Sequence, residues 1–116
     1  MSNILYTPEA SDDLAEIKDY IAKQLENPGA ALNTVQKITK RIRKLEQFPE
    51  LGTRLSTKIN IATDCRFLVC AYYIAFYRID GNDVFVIRVL YGRRDYVKIL
   101  FSELSQDENN QLNQEI

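Results

Sequence analysis

Two helix start signals, Thr7-Pro8-Glu9 and Asn27-Pro28, each followed by an apolar stripe, constrain what this chain can fold into more than any other feature. Threonine and asparagine side chains accept hydrogen bonds from the first free amides of a helix, and proline at the first helical position sets φ without losing a bond. After the first signal Ala10, Leu14, Ile17, Ile21 and Leu25 recur at helical spacing, which predicts one amphipathic helix ending near Glu26. After the second, Ala31, Val35, Ile38, Ile42 and Leu45 continue the same period until Phe48-Pro49 stops it. The two stripes can be buried only against each other and against a sheet, so an antiparallel helical hairpin is expected.

The rest of the chain supplies the sheet. Asn3 to Tyr6 reads as a short first strand, and Glu50 to Asp64 as a polar connection containing Gly52. Cys65–Val69, Tyr73–Ile79 and Val84–Tyr91 are rich in β-branched and aromatic residues and read as strands. Asp80-Gly81-Asn82-Asp83 joins the last two, with residues that tolerate positive φ. By strict alternation Tyr73, Ala75, Tyr77 and Ile79 oppose Ile74, Phe76 and Arg78, while Phe85, Ile87, Val89 and Tyr91 oppose Val84, Val86, Arg88 and Leu90. Both faces are largely apolar. The expectation is an α+β fold with an N-terminal helical hairpin packed on an antiparallel sheet of about four strands, the second face covered in part by a tail or a partner. Tyr96 to Leu104 suits a last helical turn or two. A single domain over residues 1–104 and a disordered tail over residues 105–116 are expected, because the tail is rich in Gln, Asn and acids.

A chain of 116 residues has room for one core. No apolar run approaches the roughly 18 residues of a membrane span, and Met1-Ser2-Asn3 lacks a basic start leading into an apolar stretch, so a soluble, cytoplasmic protein with no membrane partner is expected. The absence of histidine excludes Ser-His-Asp, Cys-His and histidine-pair nuclease mechanisms. Cys65 and Cys70 have no second pair or histidine to complete a zinc site, which leaves free thiols and no metal or other cofactor. The formal net charge of −1 hides a segregation: residues 1–35 carry six acids against two lysines, residues 36–78 nine bases against three acids, and residues 102–116 four acids and no base. A polar partner on one face would account for it, as would a solvated helix face for Lys37, Lys40, Arg41, Arg43 and Lys44.

The candidate site is a set of cations on the strands. Val84 to Asp95 ends an apolar strand in Gly92 and the adjacent Arg93 and Arg94, a pair of forks suited to phosphate or carboxylate. A basic turn closing a hairpin is the plainer reading of Gly-Arg-Arg alone. Arg66 opens an earlier strand and, in a meander, could share a concavity with Arg93 or Arg94, with Lys58 nearby on the loop. Such a cluster can hold a polyanion or stabilise the transition state of RNA cleavage. Arg78 and Arg88 are expected instead to pair across strands with carboxylates such as Asp80 and Asp83.

Tyr6-Thr7-Pro8-Glu9-Ala10, Asp13-Leu14, Ile17, Tyr20-Ile21, Leu45, Phe48-Pro49, Gly52, Cys65-Arg66-Phe67-Leu68, Ile74-Ala75-Phe76-Tyr77-Arg78 and the Val84–Asp95 run, in this order, resemble the RelE/ParE superfamily of toxins from type II toxin–antitoxin modules. The resemblance implies growth arrest relieved by a cognate antitoxin, a role in plasmid stabilisation, and oligomers formed as toxin–antitoxin complexes. In members like RelE, which cleave mRNA on the ribosome, it implies catalytic roles for Arg66 and Arg94, with a tyrosine further on. This chain has Ile99, Leu100 and Phe101 at that place, and Tyr96 is the nearest phenol. Members like ParE poison DNA gyrase and are not nucleases. The first helix from Pro8, the Tyr77-Arg78-Ile79 strand ending and the Val89–Asp95 run lean toward ParE. A non-toxic binding module is the third reading.

Overall fold

The structure, a computed structural model, describes residues 1–59, 62–92 and 99–100. Its elements are β1 (Asn3–Tyr6), α1 (Pro8–Gln24), α2 (Pro28–Arg43), β2 (Thr53–Arg54), β3 (Arg66–Cys70), β4 (Tyr73–Asp80) and β5 (Asp83–Tyr91), with short 3₁₀ turns at Lys44–Glu46, Pro49–Leu51 and Leu55–Thr57. Both helices start as their sequences direct. The Thr7 hydroxyl accepts from the Ala10 amide at 3.1 Å, and the Asn27 side-chain oxygen from the Ala30 amide at 3.1 Å. Glu26 takes a left-handed φ of 48°, which turns the chain between the helices.

The expected α+β class and helical hairpin are present. The sheet has five strands in the order β1-β5-β4-β3-β2. The extra strand is the two-residue β2, inside the segment read as a connection, where Thr53 and Arg54 pair with Phe67 and Arg66. β1 runs parallel to β5, whereas the sequence reading had every strand antiparallel. The helical hairpin intervenes between β1 and the meander, so β1 is free to take the far edge in either direction.

Both faces of the sheet are buried, as the double apolar pattern requires. The helical hairpin lies over Leu68, Cys70, Ala75, Tyr77, Val84, Val86 and Val89. On the other face Phe76 and Leu90 pack with Leu55, Cys65 and Leu100. Leu100 is therefore core; Phe101 and the domain boundary after 104 lie outside the described residues. Both cysteines are buried free thiols.

One feature of β5 departs from simple alternation. Phe76 pairs with Arg88 and Tyr77 with Val86, so Ile87 is an extra residue, a β-bulge. The bulge shifts side-chain parity by one: Val84, Val86 and Val89 face the helices, while Ile87 and Leu90 face the other core. The alternation expected from sequence, with Val89 opposite in face to Val84 and Val86, is corrected accordingly.

Candidate functional site

The bulge sits where β1 ends and α1 takes over the edge of β5. Thr7 donates its hydroxyl to the Ile87 carbonyl at 2.8 Å, and its amide bonds the Val86 carbonyl at 3.0 Å. One turn later Asp13, almost fully buried, accepts from Arg88 Nε at 2.8 Å, from Arg88 Nη2 at 2.9 Å and from the Val89 amide at 2.9 Å. These bonds satisfy edge groups that a neighbouring strand would otherwise take.

A basic corner lies at the other side of the sheet. Arg54 and Arg66 stand directly opposite each other in the β2–β3 pair, and Tyr77 opposes Arg66 on β4. Arg66 Nη1 donates to the Gly52 carbonyl at 2.9 Å. The buried Tyr77 hydroxyl accepts from the Gly52 amide at 2.8 Å and donates to the Pro49 carbonyl at 2.7 Å. Burial is the chief cause that raises its pKa, so this phenol is a fixed structural donor. Gly52 is required here: a Cβ would stand 2.6 Å from the Phe67 carbonyl oxygen and 2.6 Å from the Tyr77 hydroxyl. Lys58 is exposed and follows the Leu55–Thr57 turn. Two guanidinium groups held opposite each other repel, and an anion between them would relieve the repulsion.

β3 and β5 both run antiparallel to β4, hence parallel to each other. Arg66 is therefore level with Val86 through Tyr77, and Gly92, which bonds Tyr72, lies five β4 residues away from that level, about 17 Å along the sheet. The register thus places Arg66 and the glycine that precedes Arg93 at opposite ends of the sheet. Arg93, Arg94 and Tyr96 themselves lie outside the described residues. Arg78 and Arg88 do form ion pairs, but with other carboxylates than Asp80 and Asp83. Arg78 bonds the loop residue Asp64 at 2.8 Å, and Arg88 bonds Asp13 of α1. The Arg78 hydrogen bond is the main cause holding the Asp64 carboxyl below its usual pKa. A two-residue hairpin gives cross-strand partners only at matching register, and the loop and helix reach these arginines from outside it.

A sequence profile of the ParE toxin of type II toxin–antitoxin systems, parDE, matches residues 4–96. The chain belongs to this ParE family. A solved chain from a chromosomal ParDE toxin–antitoxin system of P. aeruginosa superposes with a TM-score of 0.66 at 25% identity, covering 78% of this chain and 96% of that one. No curated protein sequence matches. In this ParE chain the sequence reading missed Asp13 and Arg54. Asp13 lies at helical spacing between Ala10 and Ile17 on the buried stripe, which was the available signal. Arg54 had none, because a two-residue strand leaves no periodicity.

Among the described residues no cluster of side chains could hold a metal ion, and no helix is long and apolar enough to cross a membrane.

Proposed function

We propose that this ParE-family toxin arrests bacterial growth by poisoning DNA gyrase through its basic surface, with no chemistry of its own, and that a cognate antitoxin neutralises it in the cytoplasm. The observation that supports this reading best is the company Arg66 keeps. Cleaving RNA needs a group that takes the 2′-hydroxyl proton and another that protonates the leaving oxygen, assistance worth about 10²–10⁴-fold in rate. The chain has no histidine. The phenol opposite Arg66 is spent on Pro49 and Gly52. Among the described residues Arg54, Lys58 and Arg66 offer anion binding beside a phenol that is already engaged, and these cations together with Arg93 and Arg94 suit a target held by charge and shape.

The test pairs two assays at one toxin concentration: gyrase with supercoiled DNA, and translating ribosomes with a defined mRNA. Gyrase-linked DNA breaks are expected with intact mRNA. Codon-positioned mRNA cuts without DNA breaks would replace this reading by ribosome-dependent endonuclease action through Arg66 and Arg94. Harmless expression of folded protein in several bacterial hosts would overturn both.

A further inference from the structure

Arg54 and Arg66 occupy a non-hydrogen-bonded pair of the sheet: the Leu55 amide bonds the Cys65 carbonyl at 2.9 Å, one residue past Arg54 and one before Arg66. Side chains approach most closely at such positions, so the two guanidinium groups start from the shortest cross-strand spacing a sheet offers. Among the described residues neither has a carboxylate partner. The ion pairs belong to Arg78 and Arg88, and Arg66 has only the Gly52 carbonyl. Asp64 is taken by Arg78, while Glu50, exposed four residues before Arg54, bonds neither arginine. The surroundings hold this pair in place. Tyr77 and Arg66 fix both backbone groups of Gly52, and Gly52 leads directly into Thr53 and Arg54. The corner therefore keeps its shape without an anion and is ready to receive one.

The far end of the chain is delivered to the same two strands. Leu100, buried, packs in the cluster of Leu55 and Cys65, the residues next to Arg54 and Arg66 in sequence. That cluster lies on the face away from the helical hairpin, whereas Arg66 shares its side of β3 with Leu68 and Cys70, under the helices. Only the two-residue strand β2 lies outside β3, so one short edge separates Leu100 from the arginines. Beyond Leu100, residues 102–116 hold Glu103, Asp107, Glu108 and Glu115 and no base. Asp107 follows Leu100 by seven residues, a reach of at most about 25 Å, several times the spacing of neighbouring strands. A tether this short keeps its acids at a local concentration on the order of millimolar around the pair.

We propose that the acidic segment 102–116 folds round the β2 edge and places its carboxylates against Arg54 and Arg66, competing with the toxin's anionic target for this corner. The contact is exposed and built from charge, so salt weakens it: the screening length falls from about 10 Å at 0.1 M to about 3 Å at 1 M. A tethered competitor of this kind lowers the affinity for the target without abolishing it, and a target that presents many anionic groups displaces it. The effect on toxicity rests on the reading of this corner as the target-binding surface. The contact itself does not.

The experiment uses the full chain carrying a nitroxide on Gln111→Cys, with the buried Cys65 and Cys70 left unlabelled, and reads amide signals by NMR without gyrase or any other partner. The Arg54 and Arg66 signals are expected to broaden at low salt. They should recover in about 1 M salt, and in the variant Glu103→Gln, Asp107→Asn, Glu108→Gln, which should melt like the parent. Without the label, that neutral-tail variant is expected to arrest growth at roughly threefold to tenfold lower expression than the parent. Equal broadening in parent and variant, or none in either, overturns the contact whatever the target is. Broadening that depends on the acids, with growth arrest unchanged, overturns the competition and removes the corner from target binding. Because the contact is read without gyrase, a failure of the gyrase assay bears on the target alone.

Discussion

Asp13 and Arg88, 75 residues apart in the chain, meet in a two-point ion pair with oxygen–nitrogen distances of 2.8 and 2.9 Å. The same carboxylate takes the Val89 amide, so one residue of α1 fixes both the side chain and the backbone of the bulged strand. Side-chain exposures of 16% for Arg88 and 8% for Asp13 place the pair largely out of water, where losing one partner costs far more than at the surface.

Asp13→Ala is expected to lower stability by about 3–5 kcal/mol, because it withdraws the carboxylate from a part-buried guanidinium and a buried amide. Calorimetry should show a fall in melting temperature of roughly 10–20 °C. Asp13→Asn, which keeps an acceptor for Val89, should fall between. An unchanged melting temperature for Asp13→Ala would mean that α1 does not dock on β5 through this residue.

Gly52→Ala should destabilise more than most surface changes, since the new methyl has backbone on one side and a buried phenol on the other. Tyr77→Phe leaves the Gly52 amide and the Pro49 carbonyl without that partner, at about 1–3 kcal/mol each. The two changes act on one contact and should be strongly non-additive in a double-mutant cycle. Simple additivity would contradict the network.

Arg54→Ala and Arg94→Ala are expected to reduce growth arrest at least tenfold in a titrated expression assay, given about 1.5–3 kcal/mol for a charge-assisted bond to an anion. Arg54 is exposed, so its variant should melt like the parent. Arg66→Ala should reduce both toxicity and, by about 1 kcal/mol, stability, since its guanidinium also holds the Gly52 carbonyl. Full toxicity of the triple variant would remove the basic corner from the mechanism.

Burial is the first cause that pushes the Cys65 and Cys70 thiols up to about 11 from an ordinary 9.0. A raised folded-state pKa favours the protonated form in the fold. The stabilisation is therefore complete below pH 9 and is lost as pH rises from 9 through about 11, where the unfolded chain ionises first. Denaturant titrations should show stability dropping across this window, with a shallower drop in Cys65→Ala and Cys70→Ala than in the parent. Both thiols should also resist a disulfide reagent at pH 8 until the chain unfolds.

The sequence alone determined what is local. The Thr7-Pro8 and Asn27-Pro28 starts, the apolar stripes of α1 and α2, and the turn with Gly81 at φ +60° depend on residues within a few positions of one another, and each formed where its pattern lies. The double-faced apolar character of β4 likewise forecast a sheet buried on both sides. Tertiary structure decided everything that joins distant segments. The parallel seat of β1 on β5 and the pairing of Arg54 with Arg66 are choices of edge and register, made only once the hairpin is packed. The bulge at Ile87 carries no sequence mark, because an unpaired residue is defined by its neighbour strand. Asp13 reads as one of two adjacent carboxylates on a helix until α1 turns it inward, and Arg88 becomes its partner because the bulge and the helix meet at one edge. Periodicity specifies which side of an element is buried; which groups satisfy the buried polar atoms follows from how the elements cross.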